Sequence, residues 1–277
     1  MSIEAHQNIS MPPLMYGTAW KEERTADLVE MAVKSGFRGI DTACQPKHYN
    51  EAGVGEALRR LFEQGFSRNE LFIQTKFTPL SGQDPQRIPY DPRAELEIQV
   101  VQSYQRSLDN LGVEFINSLV LHSPLFPYSQ LIRVWNAMEE SVSHGGVGQI
   151  GISNCYDLEL LQRLYRDATI KPSVVQNRFY QESDYDKELR EWCNEMGIRY
   201  QSFWSLTANP HILRNEIIIT LGEKYSQTPA QIWYRYLHQC NIVPLIGSTS
   251  QHHINEDLRI FDFTLSDDEV ETITSLL

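Results

Sequence analysis

Short β-rich runs recur along the chain at 13–18, 38–41, 71–76, 117–122, 147–153, 173–176, 199–204 and 242–248, and their apolar positions are mostly contiguous rather than alternating. Contiguous apolar strands are expected where both faces of a sheet are covered, as in parallel sheets. Between the runs the spacing becomes helical. The segment 25–34 places Leu28, Met31 and Ala32 on one face and is closed by Gly36, while longer helical stretches cover 95–111 and 184–196, the latter closed by Gly197. Two capping boxes mark later helix starts, Thr228-Pro229-Ala230-Gln231 and Ser266-Asp267-Asp268-Glu269; in each, the hydroxyl can accept from the backbone three residues on while Gln or Glu bonds back. Eight strand and helix alternations of this kind predict an α/β fold closed as a TIM (β/α)8 barrel. An open doubly wound sheet is the alternative, but no Gly-x-Gly-x-x-Gly turn follows the first run.

The length changes this picture little: 277 residues, with 41% hydrophobic content, suit one barrel of roughly 250 residues, so 1–277 is read as a single domain. No repeat, low-complexity tract or linker interrupts it. A net charge of −12 argues against nucleic acid or an anionic membrane as partner, since both select basic surfaces. No apolar run approaches the roughly 20 residues that cross a bilayer, and Met1-Ser2-Ile3-Glu4-Ala5-His6 lacks the basic start of a leader. Cys44, Cys155, Cys193 and Cys240 are widely spaced without a C-x-x-C pair, as expected of reduced thiols rather than a metal knuckle. The expectation is a cytoplasmic monomer acting on a small molecule.

In a barrel the active site forms at the carboxyl ends of the strands. Here those ends read Thr18, Asp41, Lys76, His122, Ser153 with Asn154, Gln176, Trp204 and Ser248. Any one of these has an ordinary structural use as a cap, a snorkelling cation or a satisfied core histidine. Asp, Lys and His on three neighbouring strand ends together point to a shared site.

Gly36-Phe37-Arg38-Gly39-Ile40-Asp41-Thr42-Ala43, followed by Tyr49-Asn50-Glu51 and Val54-Gly55, resembles the signature of the aldo-keto reductases. Thr75-Lys76, Leu121-His122-Ser123-Pro124, Ile150-Gly151-Ile152-Ser153-Asn154 and Gln176 follow in the family's order, so the resemblance spans 17–263. It implies reduction of an aldehyde or ketone by a nicotinamide cofactor, with Asp41, Tyr49, Lys76 and His122 as catalytic tetrad. The chemistry suits those residue types. A carbonyl that receives hydride becomes an alkoxide and needs a proton. The Tyr49 phenol would supply it, the Lys76 ammonium would make that phenol a stronger acid, Asp41 would keep the buried lysine charged, and His122 would orient the carbonyl.

The chain departs from the family's pattern between Asp41 and Tyr49, where Cys44-Gln45-Pro46-Lys47-His48 makes the spacing longer; a loop of this kind is similar to that of some fungal-type members. Alignment on Asn50-Glu51 puts His48 at the donor position, so His48 stays as the alternative to Tyr49 or as a substrate contact. For the cofactor, the resemblance implies Thr18, Ser153, Asn154 and Gln176 around the nicotinamide, Trp204 stacked on it with Ser205 beside, and Gly247, Ser248, Thr249, His253, Glu256 and Asp257 along the adenosine phosphate. A helix start in that last segment offers free N–H groups to phosphate. Gly247 and His253 stand where NADPH users commonly carry Lys and Arg, so NADPH is expected over NADH by a small or pH-dependent margin. Trp20, Phe77, Leu125, Phe126 and Tyr90 are expected to line an apolar substrate pocket, and 79–92 to form a lid or a disordered loop. Two rivals remain: a nicotinamide-binding sensor with little turnover, and metal-assisted hydrolysis. The second is disfavoured because no His-x-His or carboxylate cluster accompanies His122, so no metal is expected.

Overall fold

Eight parallel strands close into one barrel in the computed structural model, which describes residues 10–277. They are β1 (Met15–Gly17), β2 (Gly39–Asp41), β3 (Phe72–Phe77), β4 (Ile116–Leu121), β5 (Val147–Ser153), β6 (Val174–Arg178), β7 (Arg199–Phe203) and β8 (Ile242–Ile246), each bonded to its neighbour in sequence, with β8 closing on β1. The TIM barrel expected from the pattern is therefore the fold. The expectation about a leader at residues 1–6 lies outside the described residues. Among the described residues no helix is long and apolar enough to cross a membrane, and no group of three or more His, Cys, Asp or Glu could hold a metal.

Most helices begin and end where local chemistry dictates. The helix Thr25–Ser35 stops at Gly36, whose φ of 133° is a conformation that side-chain-bearing residues avoid. Both capping boxes form, Thr228 with Gln231 and Ser266 with Glu269. The helix predicted over 184–196 is shorter than its periodicity suggested, running Lys187–Glu195, because Asp184, Tyr185 and Asp186 are left-handed at φ 49°, 50° and 52°. Tertiary bonds hold that run. The Asp186 carboxylate accepts from Asn177 Nδ2 and Tyr200 Oη, both at 2.7 Å, and the Tyr185 ring is buried with its hydroxyl 3.1 Å from His211 Nε2.

Successive side chains of a strand face opposite ways, so each strand sends one set into the barrel and the other under the helices. The inward set is layered. Met15, Phe72 and Val243, near the amino ends, form a small apolar cluster with Met11 and Leu245 that fills the bottom. Above it, Gln74 and Gln201 are wholly buried and bonded to each other, Gln74 Nε2 to Gln201 Oε1 at 2.7 Å and Gln201 Nε2 to Gln74 Oε1 at 3.1 Å. Asp41, Lys76 and Gln176 lie above the glutamines, toward the carboxyl ends. The outward set joins the helices in the main core, with Trp135 and Trp233 wholly buried.

Candidate active site

Lys76 and Asp41 form a buried ion pair at 2.6 Å, in which Lys76 Nζ also donates to the Thr42 carbonyl at 2.8 Å. The other carboxylate oxygen, Asp41 Oδ1, accepts from Gln74 Nε2 at 2.7 Å and Gln176 Nε2 at 3.0 Å. Four hydrogen bonds from three donor groups thus fix the pair to β2, β3 and β6. Such saturation is what a buried charge pair needs to outweigh its desolvation. Burial alone would lower Lys76, but the charges and hydrogen bonds of Asp41 and Tyr49 outweigh it and leave the ammonium raised above its ordinary value.

The longer loop after β2 is a compact turn. Gln45 N donates to the Ala43 carbonyl, and His48 N and Tyr49 N both return to the Gln45 carbonyl. Asn50 then caps the helix Glu51–Glu63 by accepting from Gly53 N at 2.9 Å. The extra residues are absorbed in that turn, which sends two adjacent rings in different directions. Tyr49 lies over Lys76, whose Nζ is 5.1 Å from its ring centroid, and edge-on to His122 at 5.9 Å. His48 instead packs at a tilt of 35° against Trp20, with ring centroids 4.0 Å apart. Burial raises the Tyr49 phenol above its ordinary value; Lys76 opposes that rise and Asp41 adds to it. The expected acid-strengthening by Lys76 is present, but it does not win against desolvation.

His122 follows β4, and its Nδ1 sits 2.7 Å from Thr78 Oγ1. Burial, then the charges of Lys76 and His48, hold it well below its ordinary value, so the ring is neutral. Nε2 has no hydrogen-bond partner among the described residues, and Asn154 Nδ2 braces the His122 carbonyl at 2.8 Å.

The residues assigned to a nicotinamide gather on the neighbouring strand ends. Ser153 Oγ donates to the Gln176 carbonyl at 2.6 Å, Asn154 is left-handed at φ 54°, and Thr18 Oγ1 donates to the Asp41 carbonyl at 2.9 Å. Gln176 spends its amide hydrogens on Asp41 and Gln201, leaving its oxygen as the group available to a ligand. Trp204 is 49% exposed with φ 57°, so it is a surface slab rather than core packing. An exposed indole face with polar side chains on the adjoining strand ends suits a flat, amide-bearing ring. Ser205 is a correction: it is buried, with its hydroxyl on Ser202 Oγ at 2.8 Å and its carbonyl taken by Trp233 Nε1, so it supports the turn beneath Trp204.

Past β8, Gly247 and Thr249 are exposed, Ser248 accepts at its carbonyl from Tyr16 Oη at 2.8 Å, and Ser250 caps the helix Gln251–Leu258. His253 is exposed on its first turn, and Glu256 is 3.2 Å from His252. Asp257 faces inward at 5% exposure, and burial followed by Glu256 pushes its carboxyl up to about 7. A carboxyl raised on folding favours the fold while protonated and costs stability as pH rises from its unfolded value, near 4, through 7. Three units set an upper bound of about 4 kcal/mol on that cost. Asp257→Asn is therefore expected to raise the melting temperature at pH 8 by several degrees and leave it nearly unchanged at pH 4; equal shifts at both would count against a buried carboxylate.

Three expected pocket residues, Phe77, Tyr90 and Leu125, are placed elsewhere. Phe77 is 1% exposed and packs on Tyr90, itself buried, at 5.7 Å; with Lys76 inward, strand alternation turns Phe77 out under the helices. Leu125 is buried in the main core, whereas Phe126 and Trp20 are exposed at the rim. The segment 79–92 is ordered and tied down: Gln83 Nε2 donates to the Cys44 carbonyl at 3.0 Å, Gln45 Nε2 to that of Gly82 at 2.8 Å and Tyr90 Oη to that of Thr78 at 2.9 Å. Reading only strand ends missed Gln74, Gln201, Thr78 and Lys21. The first two were legible as polar residues in phase with the inward faces. Lys21 is buried, donates to the Gly247 carbonyl and is lowered by burial and by Arg24.

The model of the aldo/keto reductase family matches residues 13–277. A glyoxal reductase from Bacillus subtilis is 30% identical over 99% of this chain and 92% of its own length. An NAD(P)H-dependent D-xylose reductase I,II from Candida tropicalis is 27% identical, again over 99% of this chain and 92% of that protein. Among solved structures, MGS-M4, an aldo-keto reductase enzyme from a Medee basin deep-sea metagenome library, superposes with a TM-score of 0.81 at 26% identity, covering 97% of this chain and 92% of that one. With a barrel of this topology and an Asp–Lys pair at its mouth, the chain belongs to the aldo/keto reductase family, oxidoreductases that reduce carbonyl compounds with NAD(P)H.

Proposed function

We propose that this chain reduces aldehydes and ketones to alcohols with NADPH as its preferred cofactor, and that Tyr49 is the proton donor. The observation that carries the choice of donor is the position of the Tyr49 ring beside Lys76 Nζ, while His48 turns to Trp20. A phenol held above its ordinary value stays protonated near neutrality, as a donor must. The phenolate left after transfer is stabilised by the Lys76 ammonium, an interaction worth more in the transition state than in the ground state. Neutral His122 is suited to direct Nε2 at the carbonyl oxygen and orient it.

When bound, reduced nicotinamide supplies the hydride. Ser153, Asn154 and the Gln176 oxygen would hold its carboxamide and Trp204 its ring face. Lys21 and the amino end of Gln251–Leu258 offer positive charge and N–H groups to the phosphates. Ser248, Thr249 and His253 would contact a 2′-phosphate, without the paired cations that make such a clamp strong. Trp20, His48 and Phe126 give the substrate side an aromatic wall. The names of the relatives, a glyoxal reductase and a D-xylose reductase, support small carbonyl compounds as the substrate class.

The test is consumption of NADPH and NADH, followed at their near-ultraviolet absorbance, over a panel from 4-nitrobenzaldehyde to glyoxal. Turnover with NADPH, exceeding that with NADH by less than about a hundredfold, is the expected result given the weak clamp. Cofactor binding without consumption across the panel would reject the reductase reading in favour of a sensor.

A further inference from the structure

Strand β6 runs two residues beyond Gln176, and by alternation Arg178 shares the inward face with it at the barrel rim. The Arg178 guanidinium lies over the Trp204 indole, 4.3 Å from Cζ to the ring centroid, and 5.2 Å from the Tyr180 ring. Its backbone N–H donates to Tyr156 Oη at 3.1 Å, and that hydroxyl reaches Asn154 Oδ1 at 3.4 Å. Trp204 and Asn154, two residues proposed above to receive the nicotinamide, are thus both in Arg178's immediate surroundings.

Arg178 has no counter-charge among the described residues. Among the described residues no carboxylate pairs with it, its guanidinium donates no hydrogen bond, and its buried Nε has no partner. Arginine does not escape such a site by losing its proton, because the guanidinium stays charged. The positive charge is therefore fixed against an aromatic slab at the mouth of the site. Oxidised nicotinamide carries a positive ring and reduced nicotinamide a neutral one, while the rest of the two cofactors is the same. A fixed cation beside the ring pocket acts against one of them and not the other.

We infer that Arg178, half-buried on the face of Trp204 without an acidic partner, sets the preference of this site for reduced over oxidised nicotinamide cofactor. The inference rests on the cofactor reading given above. A unit charge several ångströms from the nicotinamide ring, at the partly screened mouth of a barrel, is expected to weaken the oxidised form about tenfold relative to the reduced form. The consequence is a site that takes up NADPH and releases NADP+ readily, which favours carbonyl reduction over alcohol oxidation.

The experiment is direct titration of NADPH and NADP+ into the wild-type protein, Arg178→Met and Arg178→Lys, followed by quenching of tryptophan fluorescence and checked by calorimetry. The readout is the ratio of the two dissociation constants within each protein. A general loss of packing weakens both forms and leaves that ratio unmoved. The wild type should bind NADPH the more tightly, Arg178→Met should bring the ratio down about tenfold by tightening NADP+ relative to NADPH, and Arg178→Lys should keep most of the preference. Equal weakening of both forms in Arg178→Met would overturn the inference, since a contact to a cofactor phosphate or a loss of packing gives that result and a charge acting on the nicotinamide ring does not. An unchanged ratio would overturn it with the cofactor reading intact. Failure of the wild type to bind either form would reject that reading and the inference with it.

Discussion

Tyr49→Phe should lower kcat by roughly a hundredfold to ten-thousandfold while changing the dissociation constant for NADPH by less than about threefold. The substitution removes one oxygen and keeps the ring that packs between Lys76 and His122. Its effect is therefore confined to the proton that must reach the nascent alkoxide. His48→Ala is the control that matters, because spacing against Asn50-Glu51 makes His48 the rival donor. Its ring packs at a tilt against exposed Trp20, and burial followed by the charge of Lys47 holds it below the ordinary histidine value. Loss of that ring should raise KM for aromatic aldehydes and leave kcat within about tenfold, since it removes uniform binding rather than a transition-state contact. The reverse pattern, a dead His48→Ala and an active Tyr49→Phe, would transfer the role of acid to the histidine.

Lys76→Met should be both inactive and unstable, and adding Asp41→Asn should repair only the second defect. The methionine side chain removes the cation that stabilises the phenolate, so a fall in kcat of about a hundredfold or more is expected. It also leaves the Asp41 carboxylate buried with only the Gln74 and Gln176 amides as donors. Breaking one side of a buried ion pair typically costs about 3–5 kcal/mol, which for a chain of this size lowers the melting temperature by about 10 °C. Neutralising the orphaned carboxylate removes most of that penalty. Melting curves and initial rates of the two single variants and the double variant make the comparison. A double variant no more stable than Lys76→Met would show that the pair is not what holds these strand ends.

Much of this was legible before any coordinates, for reasons that can be assigned to particular residues. Contiguous apolar runs located all the strands, because a barrel buries each strand on both faces. The capping boxes at Thr228 and Ser266 were readable because the bonds that make them are local. The helix before Gly197 was drawn too long, since its start is fixed by bonds from Asn177 and Tyr200 to Asp186 that no local pattern reveals. Asp41, Lys76 and His122 were found as polar residues at strand ends, and they do converge. Tyr49 against His48 was undecidable from spacing, because the turn closed on the Gln45 carbonyl determines which ring points inward. Phe77 was misassigned although the signal was present: with Lys76 facing in, its neighbour must face out. Arg178 was passed over because β6 was taken to end at Gln176.

The glutamine layer beneath Asp41 has a consequence for proton traffic. Gln74 and Gln201 of that layer, with Gln176 level with Asp41, satisfy one another and the carboxylate with groups that neither gain nor give up a proton in the range where proteins function. Below them, Met15, Phe72 and Val243 close the bore with hydrocarbon and sulfur. These layers offer no titratable side chain beneath the Asp41–Lys76 pair, so a proton that reaches the proposed donor Tyr49 is expected to enter from the open end, past His122.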